Sequence, residues 1–113
     1  MTPEKILSYK PEVLTQEQRQ FYFDNGYLLV ERIVPLNWVE HLLDVTNEMV
    51  QRSRSLSKSD MVFDLEPGHT ADNPRLRRLT SPVEHHPTYW KFASQSIIAD
   101  VAADLVGPDV KFH

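Results

Sequence analysis

Apolar and polar positions change period several times along this chain, and each change marks a boundary. Residues 1–13, with Pro3 and Pro11, read as an extended lead-in. "LTQEQRQFYFDNG" then carries helix signals at both ends. Thr15 and Gln18 are spaced as a capping box, and Asn25-Gly26 supplies a left-handed stop. Within it, Phe21 and Tyr22 are expected to turn toward a core. "YLLVERIV" is rich in β-branched and aromatic residues and predicts a strand from about Tyr27 to Val34, closed by Pro35.

The strongest helical pattern is "NWVEHLLDVTNEMVQRS". Asn37 and Glu40 match a second capping box, and Val39, Leu42, Leu43, Thr46, Met49 and Val50 form one apolar stripe. "RSRSLSKSD" alternates serine with basic residues and breaks the period, so a loop is expected, either a solvated linker or a mobile lid over a site. "MVFDLE" and "RLRRLT" are candidate short strands separated by the turn-forming "PGHTADNP". Pro87 suits the first position of a short helix through Phe92. Ser94 is placed to cap a further helix with the stripe Ile97, Ile98, Val101, Ala102 and Leu105. Gly107-Pro108 ends it, and "VKFH" at 110–113 reads as the opening of a strand, with Val110 and Phe112 on one face.

At 113 residues this is one domain at most. The apolar and charged fractions, 41% and 25%, are those of a folded chain. A net charge of −4 argues against a nucleic-acid or anionic-membrane partner, because both need a basic surface. There is no cysteine, which excludes disulfides and thiolate chemistry. No segment approaches membrane-spanning length and no signal sequence opens the chain, so a soluble, cytoplasmic protein is expected.

Candidate chemistry is sparse. Of the five histidines, His41 reads as a helix-surface residue, His69 with Asp72 as part of a solvated loop, and His85-His86 as structural. None belongs to a set of three convergent metal ligands by spacing. Neither H-x-D, H-x-E, H-E-x-x-H nor a phosphate-binding loop occurs, so no catalytic or metal residue is assigned. "RLRR" is different. Period-two alternation places Arg75, Arg77 and Leu79 on one face and Leu76, Arg78 and Thr80 on the other. Arg78 is thereby grouped with less polar neighbours and calls for a carboxylate partner. That partner is either an acidic residue such as Asp64 or Glu66, or the carboxylate of a ligand.

Taken together, "LTQEQRQFYFDNGYLLVERIVP" resembles the N-terminal segment of the phytanoyl-CoA dioxygenase family. The shared pattern is a short helix, a Phe-acidic-x-Gly-Tyr turn at Phe23–Tyr27, an apolar strand and a long helix. "IIADVAADLVGPDVKFH" is similar to a later helix of that family, its Gly-Pro break and a strand leading into the barrel. The resemblance implies an α+β chain, comprising N-terminal helices and first strands of a double-stranded β-helix of the jelly-roll or cupin type. It implies Fe(II) and 2-oxoglutarate as cofactors of a larger enzyme that hydroxylates a small organic molecule. The family's iron ligands, an H-x-D motif and a distal histidine, have no counterpart between Met1 and His113. The resemblance matches Arg78 to a co-substrate-binding basic residue, with Arg77 as the alternative if the register slips by one, and sets His113 on a strand lining the cavity. A fragment of such an oxygenase is the resulting expectation, inactive by itself, single-domain over 1–113, and prone to self-association through an exposed strand edge. The alternative is a small self-contained binding or dimerisation module.

Overall fold

A computed structural model describes all residues, Met1–His113. It contains five α-helices and one two-stranded sheet, an α+β arrangement in which no barrel is closed. The chain divides into two compact units: residues 1–35 with 91–113, and residues 36–90.

The first unit holds α1 (Pro3–Ser8), α2 (Gln16–Asn25) and α5 (Ile97–Val106). The lead-in is thus helical where an extended segment was expected. Thr2 accepts a hydrogen bond from the Lys5 N–H at 3.2 Å and Pro3 occupies the first turn, so the N-terminal Thr-Pro pair acts as a helix start. α2 begins with the expected reciprocal capping box between Thr15 and Gln18. Gly26 ends it at φ +81°, a left-handed conformation that costs glycine little. The core-facing residue of α2 is not Phe21, which is exposed and stacks edge-on against Tyr27, but Arg19.

Residues 27–34 form no strand. A strand is stable only when a neighbour completes its ladder, and this stretch has none to bond; Tyr27 and Leu29 lie exposed. The same holds for 110–113, which are irregular and exposed. α5 is capped by Ser96, not Ser94: Ser96 Oγ accepts from the Ile98 N–H and donates to the Phe92 carbonyl.

The second unit holds α3 (Leu36–Arg52), a 3-10 turn at Ser53–Ser55, β1 (Phe63–Leu65) and β2 (Leu76–Leu79). α4 (Pro87–Gln95) begins in this unit and continues into the other. α3 starts at Leu36, which places Asn37 inside the first turn and rules out the Asn37–Glu40 capping box. Its inward side is centred on Val45 and Met49, whereas Val39 and Leu43 of the expected stripe are exposed. Met49, Val45 and Phe63 are the buried apolar residues of this unit.

β1 and β2 pair antiparallel with Phe63 opposite Leu79, Asp64 opposite Arg78 and Leu65 opposite Leu76. One residue, Arg77, separates these last two partners on β2 while none separates them on β1, so Arg77 is the extra residue of a β-bulge. The bulge explains "LRRL". Two leucines three residues apart share a strand face only if one residue between them is looped out.

Candidate functional site

The β1–β2 hairpin carries the residues that the sequence singled out. Across the ladder, Arg78 Nε donates to Asp64 Oδ2 at 3.0 Å. The carboxylate expected for Arg78 is therefore supplied by Asp64. The surroundings are not those expected: the side chain is 72% exposed, because the bulge at Arg77 shifts the alternation and turns both arginines outward. Only Nε is bonded, so both Nη amino groups remain able to donate to a second acceptor.

Arg77 makes a parallel contact, Nε to Glu66 Oε1 at 3.0 Å. That hydrogen bond, reinforced by the charges of Glu66 and Asp64, raises the guanidinium pKa above its already high ordinary value. Arg77, Asp64, Glu66, Lys58 and His69 line a shallow pocket of about 440 Å³ beside the hairpin. It is a mixed-charge surface, able to hold small ions but without a nucleophile–base pair.

His69 braces this region. Its Nδ1 accepts the Arg75 N–H at 2.9 Å, which leaves the ring proton on Nε2 to be donated to the Ser53 carbonyl at 3.0 Å. The loop containing it is held in place, whereas the sequence suggested a merely solvated one; Asp72 takes no part. Arg54 adds a second tie to the same turn, through the Ala71 carbonyl. At the hairpin's entry, Asp60 accepts from the Phe63 and Val62 N–H groups, and these bonds lower its carboxyl pKa.

His86 Nδ1 accepts the Thr88 N–H at 3.2 Å, and its Nε2 lies 3.7 Å from Glu48. This is the structural role expected at the start of α4. His41 is exposed, as expected of a helix surface, and its Nε2 reaches Thr88 Oγ1 at 3.3 Å. Beside it, Thr46 Oγ1 and the Tyr89 hydroxyl are 2.7 Å apart. No three histidine or carboxylate groups converge so as to hold a metal ion. Residues 1–113 therefore do not fit an Fe(II) site.

The first unit holds a polar centre that sequence reasoning missed. Asp104 is only 3% exposed, and its carboxylate accepts three backbone N–H groups: Glu12 at 2.7 Å, Val13 at 2.8 Å and Leu14 at 2.8 Å. Burial pushes the carboxyl upward. The three N–H bonds, with the nearby Arg19 charge, outweigh it and hold the pKa below the ordinary carboxylate value. Arg19, 1% exposed, donates Nε to the Asp104 carbonyl at 2.8 Å and Nη1 to the Tyr9 carbonyl and Gln16 Oε1. Its Nη2 reaches the Ile6 carbonyl. Every polar atom of the pair that is buried has a partner, so this centre ties α1, α2 and α5 together and offers no free group for chemistry.

A signal for Asp104 was present. It stands at i+7 from Ile97 and i+3 from Val101, on the core side of α5, in the last turn where the helix dipole disfavours an acid. An anion kept in such a place needs donors from elsewhere. Nothing in the local pattern marks Arg19.

Comparison of the chain with protein-family models, with curated proteins and with solved structures found no match.

Proposed function

We propose that residues 1–113 are the N-terminal part of an Fe(II)/2-oxoglutarate-dependent dioxygenase of the phytanoyl-CoA dioxygenase type, acting on a small organic molecule. The observation that carries this reading is the run from Thr15 to Arg52. A capped helix ends at a left-handed Gly26 inside Phe23-Asp24-Asn25-Gly26-Tyr27, an apolar stretch follows, and a long helix begins at Leu36. In this reading 27–34 and 110–113 take up strand structure against chain beyond His113, and the iron ligands lie there too. Iron and 2-oxoglutarate supply the oxidising chemistry. The contribution of this region is to hold the packed helices and to present Arg78, whose unbonded Nη edge suits a carboxylate of the co-substrate.

The first test is to read the open reading frame past the His113 codon for H-x-D and a distant second histidine. In the protein so defined, Arg78→Ala should weaken 2-oxoglutarate binding by roughly tenfold or more, the scale of a lost charge-assisted hydrogen bond. A stop codon directly after His113, or unchanged affinity in the variant, counts against the reading.

A second reading is a small binding module that dimerises by strand addition. The outer edges of a sheet of only two strands, with Phe21, Tyr27 and Leu29 exposed elsewhere, favour it. Sedimentation of the chain over a wide concentration range separates the two: a reversible dimer with one cooperative melting transition supports the module.

A further inference from the structure

The serine–basic stretch from Ser53 to Asp60 has a structure that distinguishes its four serines. Ser53 is buried and its Oγ donates to the Val50 carbonyl at 2.6 Å. Ser55 Oγ donates to the Arg52 carbonyl at 3.2 Å. Ser59 Oγ accepts the Leu65 N–H at 2.9 Å. Ser57 alone is exposed with a hydroxyl that makes no hydrogen bond, and it stands on a bend past the 3-10 turn. The stretch is anchored on both sides of it. Ser53 and Arg54 are tied to the 69–71 turn, while Ser59 and Asp60 are tied to β1, so Ser57 and Lys58 form its tip.

The charge carried by the stretch itself is one-signed. From Gln51 through Ser59 there are three basic residues, Arg52, Arg54 and Lys58, and no acidic one. An enzyme that reads this tip by charge needs an acidic groove. Ser57 also lines the 440 Å³ pocket that contains Lys58 and Arg77. Arg77 uses only Nε on Glu66, so its Nη groups are able to meet an added anion. Asp64 and Glu66 face the same pocket and repel such an anion; Asp64 is held by Arg78, and Glu66 would compete for Arg77.

We propose that Ser57 is a phosphorylation site and that the added phosphate is clamped by Lys58 and Arg77. In the transfer, Ser57 Oγ bonds to the γ-phosphorus of a nucleoside triphosphate. The bond from that phosphorus to the β–γ bridging oxygen breaks, the nucleoside diphosphate leaves, and the serine proton passes to a carboxylate of the kinase. The product carries a charge of about −2 and three acceptor oxygens. It draws Arg77 away from Glu66 and loosens the contact at the bulge, which gives the hairpin a charge-operated switch. The inference does not depend on the oxygenase reading.

The test treats the folded chain, and its Ser57→Ala variant, with ATP and a serine kinase whose substrate groove is acidic, and maps the phosphate by mass spectrometry. One phosphate on Ser57, lost in the variant, is expected. Incorporation at Ser55 or Ser59 with Ser57 unmodified overturns the proposal, as does no incorporation into chain shown to be folded by circular dichroism. A phosphorus-31 titration then checks the clamp. The second ionisation should fall below the value of about 6 of free phosphoserine and return toward it in Arg77→Ala. Identical titrations in the two proteins overturn the clamp.

Discussion

Asp104→Asn keeps the shape of the buried side chain while removing its charge and one acceptor atom. In the native centre Oδ2 accepts two N–H groups, from Val13 and Leu14, and Oδ1 accepts the third from Glu12. An asparagine oxygen can replace Oδ2, which leaves its NH2 group pointing at the Glu12 N–H, donor against donor. One buried donor left unsatisfied costs about 1–3 kcal/mol. A loss of about 2 kcal/mol corresponds to a fall in melting temperature of roughly 10 °C in a chain of this size. Asp104→Ala strands all three donors and is expected to cost about 3–5 kcal/mol, the range for breaking a buried charged network. The assay is thermal and urea unfolding followed by circular dichroism, with Asp100→Asn, exposed one turn earlier on α5, as the control. The pH dependence supplies a second readout. Because the folded pKa of Asp104 is depressed, its stabilisation is fully present above the ordinary carboxylate value and is lost as pH falls through the lower folded value. Asp104→Asn should therefore narrow its gap to the native protein as the solution becomes acidic. Equal melting temperatures for Asp104→Asn and Asp100→Asn near neutral pH would refute the assignment of Asp104 as the tie between α5 and the 12–14 segment.

Three other expectations concern single local devices. Gly26→Ala should destabilise by about 1–2 kcal/mol, the penalty of a left-handed φ for a residue with a Cβ, since the added methyl meets no atom within 4 Å; denaturant unfolding measures it. Thr15→Ala removes the N-terminal cap of α2 and should cost about 1 kcal/mol in the same assay, whereas Thr15→Ser should be nearly neutral. His69→Ala removes the acceptor of the Arg75 N–H and the donor to Ser53, so hydrogen exchange at the Arg75 amide should accelerate at least tenfold; unchanged exchange would mean that the loop is held without His69.

The local signals in this sequence were those whose physics is local. Thr15, Gln18 and Gly26 bound α2 as expected because capping and a left-handed stop involve only atoms within a turn. The long amphipathic pattern gave α3, although its inward side is turned toward Val45 and away from Val39 and Leu43, which only the packing partners could settle. Period-two alternation placed a strand at "RLRR" and foresaw a carboxylate for Arg78. It could not foresee the looped-out Arg77, since a bulge is defined by the partner strand's register. The apolar stretch at 27–34 has strand composition, but strand structure belongs to a pair, and β composition alone leaves the backbone irregular. Asp104 and Arg19 show the limit most clearly. Their partners lie 85 to 92 residues away in sequence for Asp104's contacts with Arg19 and the 12–14 segment. A buried charge is stable only where enough donors and acceptors converge on it, and that convergence exists only once α1, α2 and α5 are packed. Composition and the start and stop of α2 were thus written along the chain; the bulge that exposes Arg77 and Arg78, the one unbonded serine at the loop tip and the buried Asp104–Arg19 centre were decided by the tertiary structure, because each depends on atoms brought together from distant positions.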